Sequence, residues 1–325
     1  MNRRRVRAVL VQTALAAALA VVAWYFVSNT AANLEARGIA SGFGFLAREA
    51  GFEIGESTFI GYGAADNYLR ALSVGLLNTF RVAAFGVVFA TVLGTLLGLA
   101  RLSPNWLLAR LAAGYVEVIR NVPILVQLFF WYTLISENLP GPREAFEPVR
   151  GVFLSNRGIA FPLVASWVPF ALERPRLEGF NFLGGTALTP EFAALLTGLV
   201  MYTAAFIAEI VRAGILAVSR GQVEAAYAVG LSRRGALRYV IVPQALRLIV
   251  PPLTSQYLNL TKNSSLAVAI GYPDLVSIAN TTMNQTGQAI EGIAIIMAVY
   301  LTISLTISAF MNWYNRRVAL KGAPP

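Results

Sequence analysis

The chain contains no cysteine and no histidine. Disulfides, thiolate nucleophiles, imidazole bases and the usual zinc ligand sets are therefore excluded, and little remains from which to build an enzyme active site. Charge is scarce as well: 13% of the 325 residues are charged and 57% are hydrophobic, with a mean hydropathy of +0.62. That balance is far from the one a water-soluble domain needs, and it places the chain in a lipid bilayer. Lysine occurs only as Lys262 and Lys321, neither preceded by glycine, so no phosphate-binding P-loop is present. The formal charge of +10 comes from arginines scattered between apolar runs rather than gathered on one face, which argues against a nucleic-acid partner.

What is present is a series of long apolar runs. A helix needs about 20 mainly apolar residues to cross the hydrocarbon core, and six stretches qualify. They are Ala8 to Ser28, Leu76 to Ala100, Ala112 to Ile135, Phe192 to Val218, Leu246 to about Tyr272, and Ile290 to Tyr314. The first follows the basic start MNRRRVR and is too long for a signal-peptide core, so it reads as an uncleaved span. Gly86, Gly94 and Gly98 prepare the second for close helix contact, while Pro123 bends the third or ends a short helix within it. Pro251, Pro252 and Lys262 are expected to interrupt the fifth. Between Asn138 and Glu191 the chain is rich in Pro and Gly, and FPLVASWVPFALE reads as a segment lying on the membrane surface.

Charge gives the orientation. Arg3, Arg4, Arg5 and Arg7, then Arg101 and Arg110, then Arg212, Arg220, Arg233, Arg234, Arg238 and Arg247, and finally Arg316, Arg317 and Lys321 all fall on one side, with Glu224 as the single acid among them. The segments of the other side mix acids and arginines. By the positive-inside rule both termini are cytoplasmic.

The polar stretch GQVEAAYAVGLSRRGALRYVIVPQAL, Gly221 to Leu246, then lies in the cytoplasm. QVEAAYAV suits a short helix, Gly230 a turn, and SRRGALRYVIV a second helix capped by Ser232. On physical grounds the segment is either a docking surface for a soluble partner or a charged loop that orients the spans.

Here the spacing resembles a known family. Glu224, Ala225 and Ala226, then three residues and Gly230, then nine residues and Val240 to Pro243, are similar to the EAA signature of permease subunits of binding-protein-dependent ABC importers. The chain departs only in Val240 and Val242, which stand for Ile and Leu. The resemblance implies an all-α polytopic membrane protein of the type I importer fold whose 219–246 loop forms coupling helices on an ATP-binding subunit. It further implies two such ATP-binding subunits, which bind the ATP and Mg, a second permease, identical or homologous, and a periplasmic amino-acid-binding protein, all at a bacterial inner membrane. No cofactor is expected on this chain. Stretches over about Leu72 to Arg317, apart from the outer loop Asn138 to Glu191, resemble the polar amino-acid branch, and the extra first span with FLSNRGIAFP and GFNFLGG resembles general L-amino-acid permeases. That group usually carries a larger insertion than the one at 138–191. The implied organisation is an added N-terminal part over 1–71, the transmembrane domain over 72–317 and a tail over 318–325.

A substrate path is sought where polar groups enter an apolar run. NLTKNSSL places Lys262 about 24 Å along a helix starting at Leu246, where an ammonium needs a wet cavity or a partner. Asn259, Asn263, Ser264 and Ser265 could interrupt that helix and expose backbone groups. Lys262 and the serines would receive an amino acid's carboxylate, and Asn263 with bare carbonyls its ammonium. The other reading has Lys262 snorkelling and the asparagines bonding between helices. Relatives often have an acid where Asn263 stands, which leaves ammonium binding to a partner permease. Glu209 and Arg212, three apart, are expected to pair structurally. A competing class, an ion-coupled transporter or channel without an ATPase, would need titratable groups in several spans, and only Lys262 is a good candidate.

Overall fold

The computed structural model describes residues 3–36, 38, 41–164, 172–179 and 181–318. Its frame is a bundle of long apolar helices. Helix α1 (Arg3–Ala36) stands apart, with none of its apolar window buried. A 3₁₀ turn (Phe43–Ala47) and an extended segment lead to α2 (Tyr68–Ala100), capped by the Asn67 side chain, which accepts from Arg70 N at 2.9 Å. Its 33 residues give a length of about 50 Å, so α2 runs the full depth of the bundle.

The third expected span is not one helix. Helices α3 (Trp106–Asn121) and α4 (Ile124–Ser136) meet at 106° across Val122 and Pro123. Proline lacks the N–H that would continue α3 and disfavours helical backbone in the residue before it. Five helices among the described residues are individually long and apolar enough to cross a membrane, and six if the bent pair counts as one.

Residues 138–191 hold more order than the sequence suggests. Strands β1 (Phe146–Val149), β2 (Val152–Ser155), β3 (Gly158–Phe161) and β8 (Thr186–Leu188) form an antiparallel sheet in that order, with Phe153 opposite Ala160 and Ile159 opposite Leu188. Strands β4 (Leu163–Val164) with β5 (Leu172–Glu173) and β6 (Arg176–Glu178) with β7 (Asn181–Leu183) form two separate antiparallel pairs beside it in the chain. Residues 165–171, the centre of the expected surface-lying segment, and 319–325 of the expected tail lie outside the described residues.

Helix α5 (Pro190–Leu216) starts where its geometry is cheapest: Pro190 opens the first turn, and the Thr189 hydroxyl accepts from Phe192 N at 3.1 Å. It packs along α2 through glycine. A Cβ at Gly94 would lie 2.6 Å from the Ile207 Cβ, and one at Gly98 2.8 Å from the Ala208 carbonyl, so only glycine lets the axes approach this closely. Helix α8 (Val242–Asn263) continues through Pro251 and Pro252, which do not interrupt it, and passes into a 3₁₀ segment, Ser264–Ile270. Helices α9 (Leu275–Thr286) and α10 (Ala289–Val318) complete the bundle.

The end opposite the 217–246 loop is closed by a buried clasp. The Glu56 carboxylate accepts from the Arg81 guanidinium and from the Thr189 hydroxyl, the latter at 2.9 Å. The Arg81 guanidinium lies 4.1 Å over the Phe192 ring. Asn78 donates to the Glu56 and Pro273 carbonyls at 2.8 and 2.9 Å. Phe45, Ala50 and Ile54 pack with Tyr68, Leu72 and Leu275 in one buried cluster, which ties the 41–67 segment to the core.

Candidate functional site

The loop between α5 and α8 is a small folded unit. Helix α6 (Arg220–Ala228) ends with Gly230 N donating to the Tyr227 carbonyl at 2.9 Å and Leu231 N donating to the Ala226 carbonyl at 3.0 Å. This pair of bonds requires a left-handed residue at the turn, and Gly230 provides it at φ +84°. The Ser232 hydroxyl then accepts from Gly235 N at 3.2 Å and starts α7 (Arg233–Ala236). A π-helical turn, Leu237–Ile241, closed by the Val242 N–H donating to the Leu237 carbonyl, passes into α8 just before Pro243, whose missing N–H leaves the helical ladder one bond short there. The expected two-helix arrangement with a glycine turn is present, with the π turn as an addition.

Ala226 and Ala236 are buried, so the short pieces meet over methyl groups. Glu224, Ala225 and Gly230 are exposed, and Pro243 is half-buried. Around them the loop presents apolar surface: Tyr227, Leu237, Tyr239 and Val229 are exposed, Val229 to 78%. Arg220, Arg233, Arg234 and Arg238 stand among these groups, with the Arg238 guanidinium 5.7 Å over the Tyr239 ring. Aromatic and aliphatic side chains with interleaved arginines thus make up the outer face of the loop. The four apolar residues escape a search for polar signatures. Their signal is apolarity beside a turn glycine.

Just above the loop, Glu209 on α5 binds Arg212 as expected, and also Arg101 from the end of α2. One carboxylate between two guanidiniums ties α2 to α5 where the loop departs.

The sequence-predicted substrate residues gather at the end of α8. Lys262 is exposed in the last turn, makes no ion pair among the described residues, and lines a cleft of about 430 Å³ with Ser265, Val276, Tyr300 and Ser304. Asn259 is exposed one turn earlier, and Asn263 is half-buried. The serines spend their protons locally: Ser264 Oγ donates to the Thr261 carbonyl and Ser265 Oγ to the Lys262 carbonyl, each at 2.7 Å. They cap the interrupted helix, leaving Lys262 as the donor that faces the cleft.

The described residues thus form a bundle of apolar helices closed at one end by a clasp and ending at the other in a compact apolar and basic loop. Residues 86–320 match the family described as binding-protein-dependent transport system inner membrane component, and the chain belongs to that family. It is 50% identical to the putative amino-acid ABC transporter permease protein YhdX of Escherichia coli strain K12, over 97% of this chain and 95% of that one. That alignment runs over 374 positions, more than this chain's 325 residues, so the relative carries residues absent here. Identity is 44% to the general L-amino acid transport system permease protein AapQ of Rhizobium johnstonii, over 91% and 88% of the two chains. A solved structure described as an amino acid ABC transporter with histidines superposes with a TM-score of 0.56 at 28% identity, covering 77% of this chain and 95% of that one. The fold is that of the type I importer permeases. Membership implies ATP-binding partners and a second permease.

Proposed function

We propose that this chain is the permease subunit of an inner-membrane importer for L-amino acids, driven by separate subunits that bind and hydrolyse ATP with Mg. The α6–α7 loop is the coupling element: Glu224, Ala225, Ala226, Gly230 and Pro243 shape it, and Tyr227, Val229 and Tyr239 enter a groove on the ATP-binding subunit. The observation that carries this reading is the exposure of these apolar side chains on a loop whose backbone is already internally satisfied. Such a surface needs no refolding to dock, so its affinity is not spent on ordering.

Both termini and the loop face the cytoplasm. The clasp, the sheet and residues 41–67 lie on the other side, where a soluble binding protein delivers substrate. Lys262 lines the path and receives the substrate carboxylate, beside Asn259, Asn263 and the 3₁₀ break at Ser264 and Ser265. Relatives named for amino-acid transport support the substrate class.

Reconstitution in lipid vesicles with the ATP-binding subunits, the second permease and the binding protein tests the whole reading. Uptake of a labelled L-amino acid that requires ATP and all components is expected. Uptake by the permeases alone, driven by an ion gradient, would replace this function with secondary transport.

A further inference from the structure

The break between α3 and α4 holds polar groups that the coupling loop and the Lys262 cleft do not use. At this break a cavity of about 440 Å³ lies between the end of α2, α3 and α5, with Arg101, Glu117, Arg120, Asn121 and Phe206 in its wall. The elbow is held open by Gln127. Its Nε2 donates to the Ile119 and Val122 carbonyls, both at 2.9 Å, while its Oε1 is buried without a partner. Phe206 lies about 24 Å along α5 from Pro190, which sets the cavity in the loop-side half of the bundle.

Two charged groups here are uncommitted. Neither Glu117 nor Arg120 makes an ion pair among the described residues. The Arg120 guanidinium lies 5.0 Å over the Phe206 ring, which positions it while leaving its N–H edge available. Arg101 is different, because Glu209 already holds it together with Arg212. Three guanidiniums therefore surround two carboxylates, and the site keeps one net positive charge. The C-terminal end of α3, which carries Arg120 and Asn121 of the wall, adds partial negative charge beside Glu117. Half-helix ends of this kind receive charged substrate groups in membrane carriers.

We infer that this cavity is a binding site for a zwitterionic amino acid, with Arg120 receiving the α-carboxylate and Glu117 with the α3 end receiving the α-ammonium. The residual positive charge admits neutral and acidic side chains and disfavours cationic ones. This inference rests on the amino-acid import reading above. It places a second station on the path, nearer the coupling loop than Lys262.

The test uses the assembled importer in lipid nanodiscs, without binding protein and carrying Lys262→Met so that the cavity is the station read, and equilibrium binding of labelled L-glutamine, its α-carboxamide and L-lysine. This parent complex is expected to bind glutamine at least ten-fold more tightly than either of the others. Arg120→Gln should weaken glutamine about 10- to 100-fold and erase its advantage over the α-carboxamide, with Arg120→Lys recovering part of it. Glu117→Gln should weaken glutamine similarly while keeping the preference for a free carboxylate. Native affinity and preference in Arg120→Gln would overturn the assignment. So would equal losses for glutamine and its α-carboxamide, which mark a purely structural residue. No saturable binding in the Lys262→Met complex, while the native complex imports amino acids, overturns the cavity alone, whereas a native complex that imports no amino acid defeats the import reading.

Discussion

Replacing Gly230 separates a backbone requirement from a packing one. The residue sits at φ +84°, between the two hydrogen bonds that close α6, and a Cβ built there meets no atom within 4 Å. Any cost of substitution is therefore conformational. Left-handed backbone costs about 1 kcal/mol for an unbranched residue and up to about 3 kcal/mol for a β-branched one, with asparagine the mildest. Through the Boltzmann factor, a range of about 1–3 kcal/mol shifts the balance between folded and unwound turn roughly 5- to 150-fold. The coupling loop is nine helical residues, a turn and four more, so it has little packing with which to absorb such a shift. ATPase activity stimulated by loaded binding protein should fall in the order Gly230→Asn, Gly230→Ala, Gly230→Val. Basal ATPase of the isolated ATP-binding subunits should stay unchanged. Native coupling in Gly230→Val would refute the argument, because it would show that this turn is not needed to transmit motion.

Three further outcomes follow from other parts of the molecule. Gly94→Val forces a branched side chain into the Ile207 contact on α5, and overpacking should cost about 1–3 kcal/mol, read as a lower melting temperature of the purified permease. Glu56→Leu leaves Arg81 without its carboxylate in a buried site; breaking such a pair costs about 3–5 kcal/mol, and hydrogen exchange over residues 41–67 should accelerate while the coupling loop keeps its protection. Lys262→Met preserves length and removes the charge, so substrate response of the assembled complex should weaken about 10- to 100-fold, and an unchanged response would leave Lys262 a structural residue.

Much of this architecture was legible because each signal is local. Long apolar runs fix the spans, Ser232 and Gly230 fix the two-helix loop within a dozen residues, and Pro123 marks the break after α3. What could not be read depends on distant partners. Arg101 meets Glu209 across more than one hundred residues, and Glu56 finds Arg81 and Thr189 only once the bundle has formed. The strands of the 138–191 insertion are two to four residues long, too short for an alternating pattern to show. The fifth span misled in the opposite direction. Pro251 and Pro252 signal an interruption, yet α8 runs through them and breaks where Ser264 and Ser265 turn their hydroxyls back on its last carbonyls.

The central claim is that force from ATP hydrolysis enters this subunit through the α6–α7 loop. The absence of native cysteine allows a direct measurement. Single cysteines at Ala225 and Val229, with Leu163 as a control on the far side, are paired with cysteines in the groove of the ATP-binding subunit under oxidising conditions. The account predicts disulfide crosslinks from positions 225 and 229, none from 163, and loss of transport that returns on reduction. Crosslinks from 163 alone, or full transport with the 225 crosslink intact, would contradict it.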